Sequence, residues 1–313
     1  MSIIKLVSFV VALFLIIFIF ISITSAGIGD WFKGITGKAT NPVDLNITAG
    51  VPQIIHVFND SMTDVAGGLN SGPSSTSIVI NFSVYSPSGA GNLNHSTAKV
   101  NFTRSGEDLR QNLSCINIQS SGDYANYSCN VTMWWWDGAG AWDITAFIED
   151  NDTNSAQNTT TDFTVGSTTG FDLSPSALTW PGIAAGTYNI TPDGPILMNN
   201  TGNQGIGITT GNITVNATNL RGESDPTKAL WAGNFSIGVS TGGSPPAECS
   251  GSTMNAGVYT NVSSATLPAD NYTVNDGSTG QEQLYFCLKV VGSEITTQSY
   301  STANESSWTI QAL

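Results

Sequence analysis

Beyond an apolar N-terminal run, apolar and polar residues alternate in short stretches broken by clusters of Gly, Pro, Asn and Asp. A period of two places successive side chains on opposite faces of a strand, and hardly any stretch carries the 3.6-residue period of an amphipathic helix. Turn clusters recur about every eight to fifteen residues, which predicts an all-β sandwich architecture.

One strand reads closely. Cys129, Val131, Met133 and Trp135 alternate with Ser128, Asn130, Thr132, Trp134 and Trp136. If Cys129 faces a core, so do Val131, Met133 and Trp135, while Asn130, Trp134 and Trp136 face out. The sequence DGAG at 137–140 turns the chain, and Trp142, Ile144, Ala146 and Ile148 supply the inward face of the returning strand. A turn at 150–154 and a last strand around 160–165 complete this half. The polar stretch GSTTG at 166–170 predicts a linker. Strands of the second half are predicted at 171–173, 178–180, 195–203, 211–217, 234–239, 283–291 and 307–311.

The N-terminus sets the compartment. Residues 6–23 are almost unbroken apolar sequence behind Lys5, and Thr24, Ser25 and Ala26 offer small residues for cleavage. The run is longer than an ordinary signal peptide and just long enough to span a bilayer as a helix. Cleavage after Ala26 and an uncleaved signal anchor both remain open, and either exports the chain. Trp31, Phe32 and Ile35, beside Lys33 and Lys38, suit a juxtamembrane stalk or a headgroup-level segment. The expected layout is a signal peptide or signal anchor at 1–26, a stalk at 27–42, a sandwich at 43–166, a linker at 167–170 and a second sandwich at 171–313.

Charge narrows the partners. Nine basic residues against 23 acidic ones give a net charge of -14. No basic patch of the kind that displaces counterions from phosphates can be assembled, so no nucleic-acid partner is expected.

Of 28 asparagines, about 18 head an Asn-x-Ser/Thr sequon, against about six or seven expected by chance from the Ser and Thr content. The glycosylation candidates are Asn46, Asn81, Asn101, Asn112, Asn130, Asn212, Asn216, Asn234, Asn261 and Asn271. The alternative is that Asn and Thr merely populate turns and strand faces. Four cysteines allow three connectivities. Cys115 with Cys129 and Cys249 with Cys287 keep each bridge within one proposed domain, where they stabilise by roughly 3 and 4 kcal/mol. No paired close spacing suggests zinc.

Catalytic chemistry finds few residues. His56 and His95 are the two histidines, no G-x-S-x-G elbow occurs, and the cysteines are committed to bridges. The glycine-rich stretch at 205–211 lacks phosphate-loop spacing and reads as a turn. No catalytic residue and no cofactor is expected. Asp150, Asp152 and Asn154 have the spacing of the first ligands of a calcium loop, without its turn glycine or closing Glu. A hairpin turn and a weak calcium site are the two readings. Trp134 and Trp136, on the outward face, suit stacking on a sugar ring or a protein partner, or cover by other parts of the chain.

The stalk WFKGITGKAT at 31–40, the cysteines 115 and 129 followed by GAWDIT at 140–145, and the NNTGN, YFCL and WTI segments at 199–203, 285–288 and 308–310 carry a resemblance. They are similar to secreted, modular immunoglobulin-like surface proteins of small-genome (DPANN-type) archaea. The resemblance implies tandem immunoglobulin-like sandwiches at an extracellular cell surface and carries over no functional site. The expected function is that of a non-enzymatic, structural surface or envelope glycoprotein. The alternatives are an adhesin binding carbohydrate or a surface-protein partner, and a pilus or surface-lattice subunit. The membrane is a further partner if the N-terminal segment is retained.

Overall fold

In the first half, eight strands follow one another: β1 (Gln53–Phe58), β2 (Ser75–Tyr85), β3 (Leu93–Thr103), β4 (Arg110–Asn112), β5 (Ile116–Ser121), β6 (Tyr124–Trp134), β7 (Gly140–Asp150) and β8 (Ser155–Val165). The computed structural model describes residues 50–58, 65, 67–208, 211–240 and 244–312. The signal or anchor segment, the stalk and Asn46 lie outside them.

The eight strands form two four-stranded antiparallel sheets, β1-β2-β6-β5 and β4-β3-β7-β8. Strict alternation builds the space between them. In β2, Ile78, Ile80, Phe82 and Val84 are buried, and in β6 so are Ala125, Tyr127, Cys129, Val131 and Met133. The opposing sheet supplies Val100, Phe102, Trp142, Ile144, Ala146 and Ile148. Phe82 stacks on Tyr127 at 4.9 Å, and Phe102 meets Phe163 edge-on at 4.8 Å. Burial of each such side chain is worth about 1.5–3 kcal/mol. The Tyr127 hydroxyl lies 2.6 Å from Nδ1 of His95, on β3, so the two sheets are also joined by a polar contact. Strand β8 begins five residues earlier than the alternation suggests. A register shift between Ile144 and Ala146 in its pairing with β7 breaks the period there.

The second half is built from shorter pieces: β9 (Phe171–Ser174), β10 (Tyr188–Ile190), β11 (Ile196–Asn200), β12 (Ile213–Asn216), β13 (Leu220–Gly222), β14 (Ala229–Leu230), β15 (Phe235–Val239), β16 (Ser252–Thr253), β17 (Tyr259–Asn261), β18 (Gln281–Val290), β19 (Tyr300–Ser301) and β20 (Thr309–Ala312). The longest, β18, is central to a sheet ordered β16-β15-β18-β11-β9, with β10 also on β18. Leu288 pairs with Phe235 on one side and Ile190 on the other. Two three-stranded sheets, β17-β12-β20 and β14-β13-β19, accompany it. Residues 178–180, expected as a strand, run as coil. Trp180 nonetheless packs on the core, because its indole N–H donates to the Ile190 carbonyl at 3.2 Å and its ring meets Phe235 at 5.5 Å. Trp308 closes the aromatic group against Phe235 and Phe286 at 5.1 and 5.8 Å.

The two disulfides are Cys115–Cys129 and Cys249–Cys287, as expected. The first ties the β4–β5 connection to β6, and the second ties a short 3-10 turn (Ala247–Cys249) to β18. The described residues are thus all-β, with one core contributed by residues 65–165 and another by residues 196–291. Both belong to one unit, Ala49–Leu313. No helix among the described residues is long and apolar enough to cross a membrane.

Candidate functional site

The three consecutive tryptophans sit where β6 turns into β7. The Trp134 N–H donates to Oδ2 of Asp137 at 2.8 Å, and the Asp137 N–H returns a bond to the Trp134 carbonyl at 2.9 Å. Asp137 is fully buried, and its carboxylate is gripped by Arg110 of β4, with Nε 2.9 Å from Oδ2 and Nη2 2.5 Å from Oδ1. Burial works against the Arg110 charge. The hydrogen bond and the charge of Asp137 outweigh it and raise the guanidinium pKa above the ordinary value. This two-pronged pairing is the geometry that satisfies a buried carboxylate best.

The expected facing of the tryptophans is met only in part: Trp134 is turned outward, Trp136 is half-buried, and Trp135 leaves the core it was expected to join. Trp134 is 38% exposed and its indole lies parallel to that of Trp136, 7° between planes and 5.3 Å between centroids. Trp135 is buried, but not in the core that holds Cys129, Val131 and Met133. It lies edge-on to Trp136 at 4.2 Å and reaches into the second half, where its N–H donates to the Asn200 carbonyl at 3.1 Å and its ring meets Tyr272 at 5.4 Å. A Cβ on Gly72 would stand 2.6 Å from that indole, so only glycine admits the ring so close to the backbone.

Around Trp135 the halves are knitted together by the segment 199–203. Asn203 uses all four of its side-chain bonds: Nδ2 donates to the carbonyls of Asp137 (3.2 Å) and Gly166 (2.9 Å), and Oδ1 accepts from the Thr168 N–H (2.7 Å) and hydroxyl (3.1 Å). Asn200 is fully buried and donates to the carbonyls of Gln204 and Pro268 at 2.8 and 3.0 Å. The Thr201 carbonyl accepts from the N–H of Gly72 at 2.9 Å, and its own N–H donates to the carbonyl of Gly170 at 3.0 Å. Residues 167–170, read from sequence as a plain polar linker, are therefore hydrogen-bonded into this junction. Arg110, Asp137, Thr168, Asn200 and Asn203 were not singled out by sequence reasoning. The run NNTGN was visible, but its polar pattern gives no hint of partners more than 30 residues away.

The glycosylation candidates divide by position. At Asn81, Asn101, Asn130, Asn212, Asn216, Asn234 and Asn261 the middle residue of the sequon is buried: Phe82, Phe102, Val131, Ile213, Ala217, Phe235 and Val262. Polar-apolar-polar alternation in a strand with few charges generates this pattern by itself, so strand geometry contributes to the sequon excess. Asn130, Asn212 and Asn261 are exposed, while Asn81, Asn101, Asn112, Asn216, Asn234 and Asn271 are half-buried. Asn199 also heads a sequon, yet it is buried, and its Oδ1 accepts from Nε2 of Gln281 at 2.6 Å.

Asp150, Asp152 and Asn154 do come together, as a hydrogen-bonded turn. Asp150 is buried, its Oδ1 accepting from the N–H groups of Asp152 (3.0 Å) and Asn154 (2.8 Å) and its Oδ2 from the Asn154 side chain (2.9 Å). Asp152 accepts from the Asn92 amide at 3.1 Å. These carboxylate oxygens already serve the turn, which is the work of an Asx residue in a hairpin. His56 lies on β1, exposed and tilted against Phe58 at 5.5 Å. His95 is exposed apart from its contact with Tyr127. The stretch 205–208 turns after a bridge between Ile206 and Leu267.

No protein-family profile, no curated protein and no solved structure matches this chain.

Proposed function

We propose that the chain is a non-enzymatic, exported surface glycoprotein with a structural role: two tandem immunoglobulin-like sandwiches projecting as one stiff body from a membrane-proximal stalk. The observation that carries this reading is the junction around Asn203 and Trp135. A binding module on a flexible tether needs no saturated, buried hydrogen-bond network between its halves, whereas a spacer does. The two disulfides support an oxidising compartment. Among the glycosylation candidates of the second half, Asn212 and Asn261 are the exposed ones.

The test is the intact mass of the protein isolated from its own membranes, with and without reduction and deglycosylation. A mass excess removed by deglycosylation, two disulfides and a defined N-terminus are expected. A bare polypeptide with free thiols would end this reading. Exposed Trp134 favours a second reading, an adhesin that engages sugar or protein through the tryptophan turn.

A further inference from the structure

The four strands of the β1-β2-β6-β5 sheet contain no Asp, Glu, Lys or Arg, in a chain whose net charge is -14. The facing sheet is different and carries Lys99, Arg110, Asp143, Glu149, Asp150 and Asp162 on its strands. The outer surface of the uncharged sheet is also ordered. Across β2 and β6, Ser77 stands opposite Thr132, Asn81 opposite Ser128, and Ser83 opposite Asn126. The Ser77 hydroxyl donates to Oδ1 of Asn130, and the Ser83 hydroxyl donates to Oδ1 of Asn126 at 2.6 Å. These bonds fix both amides: the Asn126 nitrogen donates to Oε1 of Gln119 on β5 at 3.4 Å, and the Asn130 nitrogen is turned to the outer side of the sheet.

Aromatic rings close both ends of this polar strip. At one end Trp134 lies against Trp136. At the other Tyr124, 53% exposed, tilts against Tyr85 at 5.3 Å. The ten residue steps of β6 from Tyr124 to Trp134 span about 33 Å at the rise of a strand.

We propose that this outer face binds a neutral polysaccharide. A pyranose offers hydroxyls on its rim and C–H groups on its flat side, which suit an amide and hydroxyl strip bracketed by ring faces. A polycation would call for carboxylates, which this face lacks. A polyanion would be repelled by the protein's overall charge. An apolar protein surface would call for a continuous aliphatic centre. The central strands instead present Val79, opposite Asn130, as the one aliphatic residue among Asn, Ser and Thr, and the exposed Phe58 and Ile116 lie on the flanking strands β1 and β5. The face borders the junction at its tryptophan end, where Trp136 meets Trp135, and the spacer role is tested separately, by the splitting of the unfolding transition in Asn203→Ala.

The experiment is affinity electrophoresis of the full chain, isolated from its own membranes, in gels containing hydroxyethylcellulose, galactomannan or mannan, and in an alginate gel. Retardation is expected in at least one neutral gel and none in alginate. Thr132→Glu alters an exposed side chain, so the melting temperature should hold while the affinity falls about tenfold or more. Trp134→Ala, which also removes the stacking on Trp136, should lower the affinity as far and is read at a temperature well below its own melting point. Free passage through all three neutral gels would overturn the proposal, as would retardation that both variants keep. So would sugar found by peptide mapping at Asn81, Asn126 or Asn130, which would make this a face shielded by its own glycans. A concentration-dependent dimer dissolved by Thr132→Glu would assign the face to protein docking and overturn it likewise.

Discussion

The two halves solve the same problem with different materials. In the first, β2, β3, β6, β7 and β8 are each eleven residues long, and their alternation alone lays down a continuous core between two sheets. In the second, β18 is the one strand of comparable length, at ten residues, and most others have two to five. Its coherence comes from what lies between strands: Trp180 and Trp308 closing on Phe235, and a disulfide that fastens a loop turn to β18. Long ladders make the first half robust to the loss of one tie, whereas the second half depends on a few long-range ties.

The largest expected effect tests the weak spot of the robust half. Arg110→Ala leaves the Asp137 carboxylate buried without its partner, which costs about 3–5 kcal/mol. Chemical denaturation should register the loss, and Arg110→Lys should restore only part of it because the paired contacts are gone. Removing the disulfides sharpens the contrast directly. The Cys249 and Cys287 double replacement by Ser should cost about 4 kcal/mol and the Cys115 and Cys129 replacement about 3 kcal/mol by loop entropy alone. The comparison predicts a wider gap than that in thermal melts. If the first replacement proves the milder, the view of the second half as loop-dependent fails.

Asn203→Ala removes four bonds at the junction while leaving both cores intact. A loss of about 1–3 kcal/mol is expected, with one calorimetric transition splitting into two. A single unsplit transition would mean that the halves unfold together for other reasons.

The smallest effect is alkaline. Burial pushes the Tyr127 hydroxyl up to about 12 from its ordinary 10.0, against a hydrogen bond from Asn117 that lowers it. The unfolded chain therefore releases this proton first. The contribution to stability is whole below about pH 10 and fades as pH climbs towards 12. Tyr127→Phe should flatten that part of the stability profile, read by circular dichroism.

Much of the first half is legible in sequence, because two-fold alternation is a local property. The register from Cys129 through Met133 and the inward set on β7 follow from it. The early start of β8 escapes, since a register shift is a tertiary accommodation that erases the period locally. Trp135 shows the limit more sharply. Its parity is correct, yet it ends up outside the core of its own strand, because β6 stops one residue before it. The second half gave weaker signals: strands of two or three residues cannot display a period, and Trp180 joins its core from coil. Asn200 and Asn203 were illegible as a site because their partners are backbone carbonyls and amides, which every sequence possesses.

The close approach at Gly202 has a mechanical consequence. A Cβ there would lie 2.4 Å from the carbonyl oxygen of Thr168, so the two chain segments touch backbone to backbone. Contacts of this kind have no soft side chain to shear. A load passed from one half to the other would be shared by the several bonds around Gly202 rather than concentrated on a hinge.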